Sequence, residues 1–254
     1  MVRRKGLIGL AAVAAAVCAA CKQPAAPPLS QAVPKIRATV VTVETRLQPS
    51  NKTLTHTIVI ADGRARSSDD VDHWRLFDLK SKRVTFVDDV AKTADEQSLA
   101  ALLAARGKEL AAALPAPMPR ADYALTGAKR ALLGVEAAEH VVRLGGYQRH
   151  LWIAKHPAVP PDLFAMMEAS RPRSSPLAGV AHSADQALMN VQGFPLLEQA
   201  ELTYGNKKLA MERRVVSIET KDVPASWLSV SAVHSSSSSS RHEATGSAVT
   251  PELK

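Results

Sequence analysis

The chain reads as an α+β domain: a strongly curved antiparallel sheet packed against one amphipathic helix and short helical insertions. Three observations predict this. Period-two apolar runs rich in β-branched residues occur before residue 90 and return after residue 134. Between them, leucines recur at three-to-four residue spacing. Finally, the segment Lys208–Ile218 changes buried parity. Leu209 and Met211 share one face while Val216 and Ile218 take the other, so a β-bulge or corner near Arg213 and Arg214 is required.

The N-terminus comes first. Arg3, Arg4 and Lys5 precede an apolar run, Gly6–Ala20, which falls short of the roughly 20 residues that span a hydrocarbon layer. Residues 1–20 are therefore expected to be an export signal peptide, and 21–33, rich in Pro and Ala, a flexible tether. The segment Val17-Cys18-Ala19-Ala20-Cys21 resembles a bacterial lipobox, with Cys18 where Leu is usual. This resemblance implies that Cys21 is acylated and becomes the mature N-terminus, and Lys22 in place of Asp implies sorting to the outer membrane. Cleavage at an Ala-x-Ala-like site, giving a soluble periplasmic protein, is the alternative, and a retained helix a third. Cys18 and Cys21 are the only cysteines. Their Cys-x-x-Cys spacing lies in an apolar leader rather than in the folded context a redox or metal motif needs.

Residues 34–233 are expected to form a single domain. Ile36–Arg46 and Thr53–Ala61 read as strands, followed by an Asp62-Gly63 turn. Trp74–Leu79 and Arg83–Val87 form a hairpin through Lys80-Ser81-Lys82. Ser67, Ser68, Asp69, Asp70 and Asp72 read as a solvated loop. Thr93-Ala94-Asp95-Glu96 has the form of a capping box, predicting a helix from there to Leu114 that ends at Pro115, Pro117 and Pro119. Leu99, Leu102, Leu103 and Leu110 would cover the sheet and, in a carrier, close over a ligand. Val135–Leu144 and Tyr147–Ala154 are strands around Gly145-Gly146. Short helices follow near Asp162–Ala169 and Ser183–Val191, with a loop at 171–179 between them. Leu196–Tyr204, Lys208–Ile218 and Trp227–Val233 complete the sheet. Residues 234–254, with six serines from Ser235, are expected to be a disordered tail.

Composition narrows the function. The formal charge is +8, of which three charges lie in the leader, leaving +5 on the mature chain. Basic residues are dispersed among acids, without the clustered footprint of a nucleic-acid binder. Eight histidines invite a metal site, with His140, His150 and His156 the nearest grouping. No HExxH or Cys/His cluster supports one. Gly-x-Ser-x-Gly is absent, and Gly145-Gly146 lacks the further glycines and lysine of a phosphate loop. The expectation is a non-enzymatic protein without cofactor or metal. Arg213 and Arg214 could meet an anionic head group, although basic residues on strands usually face water.

Three phrases carry a family resemblance: the hairpin Trp74–Asp88, the later strand opening Gly134-Val135-Glu136-Ala137-Ala138-Glu139-His140, and Leu151-Trp152-Ile153-Ala154. Over residues 36 to 230 the chain resembles the DUF4412-type exported bacterial lipoproteins and, more distantly, the outer-membrane lipoprotein-carrier superfamily. That resemblance implies a half-open barrel with helices closing an apolar cavity. Two functional expectations follow. The first is an outer-membrane-anchored periplasmic lipoprotein acting as an envelope structural or protein-interaction module with a filled core. The second is a carrier or sensor of lipid or another hydrophobic ligand. The expected partners are the membrane, through acylated Cys21, and an envelope protein or hydrophobic ligand.

Overall fold

The computed structural model describes residues 33–68, 70, 72–113, 120–171, 187–231 and 234–236. The leader, Cys21 and tether, the proline run after the first helix, the 172–186 segment and the tail from 237 lie outside the described residues. The strands are β1 (Lys35–Gln48), β2 (Lys52–Ala61), β3 (Arg64–Ser68), β4 (His73–Asp78), β5 (Arg83–Asp88) and β6 (Thr93–Ser98), then β7 (Asp122–Leu132), β8 (Val135–Leu144), β9 (Tyr147–Ala154), β10 (Phe194–Tyr204), β11 (Lys207–Pro224) and β12 (Ser235–Ser236). Two helices, α1 (Leu99–Ala113) and α2 (Leu163–Ala169), and a 3-10 helix, Ala225–Leu228, interrupt them. All strands lie in one open sheet ordered β12-β6-β5-β4-β3-β2-β1-β11-β10-β9-β8-β7. Every pairing is antiparallel except β12 with β6. The architecture is thus two meanders, β1–β6 and β7–β11, joined by the α1 connection and closed at the centre, where β1 pairs β11 from Lys35↔Pro224 to Gln48↔Ala210.

From β1 to β6 the sheet carries buried residues on both faces, because alternate residues feed separate cores. Val41, Val43, Ile58, Ile60, Phe77 and Val84 point to one face, where α2 adds Leu163, Phe164 and Met166. Their neighbours Ala38, Val40, Val59, Trp74 and Leu76 point to the other, which Leu228 of the 3-10 helix covers. The 3-10 helix is pinned there by Arg64, which donates to the Leu228 carbonyl at 3.2 Å. The parity change in β11 is present, three residues downstream of Arg213. Thr42 pairs Ser217 and Val43 pairs Val215, which leaves Val216 as the extra, exposed residue of a bulge. Val215 is then buried and Ile218 packs on the same core. The bulge lets both serve one face.

Several expectations need correction. Thr93–Glu96 is not a helix cap but part of β6. Its register runs Asp88↔Thr93 to Arg83↔Ser98, with Arg83 Nε 2.6 Å from Glu96 Oε1 and Ala94 buried. Pairing with β5 outcompetes one isolated turn, whose nucleation is unfavourable. Helix α1 instead starts after Ser98, whose Oγ accepts the Ala101 amide at 3.1 Å, the bond of an N-cap. Ser67 and Ser68, expected in a loop, end β3 instead, and Ser67 is buried. Trp227 lies in the 3-10 helix and not in a strand. Strand β7 was not anticipated at all. Every residue before Leu132 is exposed, so no alternation marks it. The tail does not begin unstructured, since Ser235–Ser236 pair with Thr93–Ala94 and His234 Nε2 lies 2.8 Å from Asp89 Oδ1.

Candidate functional site

Beside α2, the core-bearing face opens into a cleft of about 740 Å³. Its apolar walls are Val43, Ile58 and Val215 from the sheet, Phe164 and Met167 from α2, and Phe194 at the start of β10. Strand alternation places them: Val43, Ile58 and Val215 stand one residue out of step with the residues that feed the opposite core. Between them come polar groups: His56, Arg75 and Arg213 from three strands, Glu168 from α2 and Arg171 just beyond it.

Below the cleft lies a charge network that holds α2 to the sheet. Arg149 is 0% exposed, Glu168 2% and Glu198 1%. Arg149 donates from Nε to Glu198 Oε1 at 2.8 Å and from Nη1 to Glu168 Oε2 at 3.0 Å, joining β9 to β10 and to α2. Arg171 Nη2 binds the other Glu168 oxygen, and Arg213 Nη1 donates to Glu198 Oε2 at 3.2 Å. Arg75 donates to Ser170 Oγ at 2.9 Å and to the Met167 carbonyl at 3.3 Å, tying β4 to the end of α2. Burial alone would raise both glutamates. The facing guanidiniums, Arg149 foremost, hold their carboxyls below the usual range, so both are ionised. His56 also shifts downward, which for an imidazole favours the neutral form. Burial, then Arg213 and Arg75, push its imidazole down to about 4, and it stands neutral in the cleft near pH 7.

The cleft is cationic in sum. Lys52, Arg75, Arg171 and Arg213 face two carboxylates, Asp70 and Glu168, for a net charge of +2 around neutral His56. Arg149 and Glu198 beneath it cancel. The Nε of Arg213 is shielded from solvent and meets no hydrogen-bond acceptor among the described residues. Arg214, by contrast, is exposed and lies 3.6 Å from Glu212, so the two adjacent arginines have separate roles.

The expected ligand-covering helix does not take that position. Leu99 and Leu102 of α1 pack against the core but do not line the cleft. Leu103 is 37% exposed and faces away from the sheet, and the side chain of Leu110 lies outside the described ones. Among the described side chains of α1, Leu99 and Leu102 in its first turn are the ones that meet the core. The cleft is walled instead by α2. A signal for the network existed in the sequence: Arg149 is in phase with Leu151 and Ile153 on β9, and Glu168 lies among Met166, Met167 and Ala169. The histidines do not converge. His140 lies 2.7 Å from the Tyr123 hydroxyl, His150 lies 2.8 Å from Glu139, and His156 accepts the Ala158 amide. No group of three or more His, Cys, Asp or Glu side chains is arranged for a metal among the described residues.

No family model and no curated protein matches the chain. Among solved structures it is similar to PNGF-II in a C2 crystal form, with TM-score 0.41 and 9% identity over 76% of this chain and 30% of that one. In a P21 form the values are 0.38 and 8%, over 73% and 29%. The chain therefore spans under a third of PNGF-II.

Proposed function

We propose that the chain is an outer-membrane lipoprotein, anchored through acylated Cys21 and facing the periplasm, whose domain is a non-enzymatic carrier or sensor of a hydrophobic ligand. The observation that carries this reading is the cleft: about 740 Å³, apolar-walled and half-open, within the approximately 300–1,000 Å³ of small-molecule sites. A filled core has no need of it. The sheet is read as the strongly curved half-open barrel of the resemblance drawn above. Chain length supports that curvature. Ten strand spacings separate β6 from β7, about 48 Å if flat. Helix α1 supplies about 22 Å and the eight residues before β7 at most about 28 Å. A flat sheet would therefore need the whole link stretched in line, whereas a curved one brings its edges together.

Native mass spectrometry of the protein from an expressing bacterium tests the carrier. Co-purifying lipid mass, displaced by a fluorescent fatty acid, is expected; protein that carries no lipid and takes up no probe would refute it. Metabolic labelling with a radiolabelled fatty acid tests the anchor. Wild type should be labelled and Cys21→Ala should not, and equal labelling would sink the assignment.

A second reading rests on β7. This edge strand exposes Tyr123 and Leu125 and leaves one backbone edge unpaired among the described residues, so an envelope protein could add a strand there. Its bulge between Leu125 and Lys129, with Gly127 at φ 81, interrupts that edge, as natural edge strands often do to resist pairing. The cleft is the stronger argument.

A further inference from the structure

We infer that the cleft selects amphiphiles with an anionic head, a carboxylate or phosphate monoester, whose charge is received by Arg213 with Arg171 and Arg75 while the tail lies against Phe164, Met167, Val43 and Ile58. The inference rests on the hydrophobic-ligand reading and sharpens it. Cations outnumber carboxylates around the cleft by two, and a low-dielectric wall strengthens that excess. Guanidiniums suit such heads because their N–H groups match a planar or tetrahedral oxyanion bidentately. The shielded Nε of Arg213, without an acceptor among the described residues, marks a donor for the ligand to satisfy. Arg213 does not swing freely, since its Nη1 is held by Glu198 at 3.2 Å. Glu198 is in turn fixed by Arg149 at 2.8 Å, so the guanidinium is held in place before the ligand arrives. The carboxylates oppose the head less than their number suggests. Glu168 is engaged on both oxygens by Arg149 and Arg171. Asp70 accepts the amides of Asp72 and His73 and pairs with the His73 ring. His56, neutral, adds no charge of its own.

The test uses Cys21→Ser protein as the cell processes it, so that no acyl group of its own competes. Calorimetry compares dodecanoate, dodecyl phosphate, dodecanol and inorganic phosphate at pH 7.5. The two anionic amphiphiles should bind about tenfold or more tighter than dodecanol, the range of one charge-assisted hydrogen bond. Arg213→Gln should remove that preference, and its circular-dichroism spectrum reports that the variant is folded. Arg171→Gln, at a partly exposed position, should reduce the preference in the same direction. Equal affinity for dodecanoate and dodecanol, insensitive to Arg213→Gln, would overturn the head-group inference and leave the hydrophobic cleft standing. Inorganic phosphate binding as tightly as dodecyl phosphate would overturn the amphiphile assignment. Absence of binding by all four would overturn the cleft reading itself.

Discussion

Replacing Arg149 with Met tests whether the buried network holds α2 to the sheet. The side chain has no solvent exposure, and it supplies the Nε bond to Glu198 at 2.8 Å and the Nη1 bond to Glu168 at 3.0 Å. Met fills much of the same volume, so the perturbation is electrostatic rather than a cavity. Removing one partner of a buried ion pair costs about 3–5 kcal/mol. Arg171 still faces Glu168 and Arg213 still faces Glu198, which places the effect near the lower end, about 3 kcal/mol. Set against the roughly 5–15 kcal/mol of a typical domain, that is a large share. The pH dependence gives a second check. Both glutamates titrate below the ordinary 4.5 in the folded protein, so their stabilisation is present above about pH 4.5 and is lost progressively as pH falls below it. In the variant both carboxyls rise toward ordinary values, and the gap between the two proteins should narrow on acidification. Urea unfolding at pH 7.5 and pH 4 measures this, with unchanged slope as the condition for comparing midpoints. A loss under about 1 kcal/mol at pH 7.5, or a gap that does not narrow at pH 4, would refute the clamp.

Other perturbations separate the remaining assignments. Gly146→Ala should destabilise by about 1–3 kcal/mol and lower Tm by several degrees, because a Cβ there would meet the Thr203 carbonyl oxygen at 2.3 Å. Gly145→Asn, at φ 55 with open space around it, should be nearly silent in the same thermal scan. On α1, Leu102→Asp should cost about 1–3 kcal/mol and Leu103→Asp about 1 kcal/mol or less in denaturant unfolding. The former packs on the core and the latter is exposed, and the reverse order would show that the helix is rotated. NMR titration of the His56 ring should find it neutral down to about pH 4. The unfolded chain takes up that proton near 6.5, so stability should fall by up to about 3 kcal/mol as pH drops from 6.5 to 4. His56→Gln should flatten that slope, and an unchanged slope would place the titration elsewhere.

Period-two alternation was sufficient to predict β1, β2, β4, β5, β8 and β9, because in each of them residues two apart enter one core and the signal is local. The parity break in β11 was legible for the same reason, although the bulge falls at Val216 rather than at Arg213 and Arg214, and Leu209 and Val216 are exposed. Where the sequence misled, a distant partner decided. Thr93–Ser98 has the local form of a helix start, yet β5 offers it a ladder and Arg83 a charge. Strand β7 carries no alternation, since its residues before Leu132 are exposed, and its hydrogen bonds to β8 define it. The leucine stripe fixed the existence of α1 but not its rotation, which depends on where the chain leaves β6. The cleft lay furthest out of reach. Arg149, Glu168, Glu198 and Arg213 are separated by up to 64 positions, so even where a position such as Arg149 falls in phase with apolar neighbours, its charged partners are not local. Their burial is tolerable only because folding brings opposite charges within hydrogen-bond distance. Strand register and the docking of α2 place them side by side; no local pattern in the chain does.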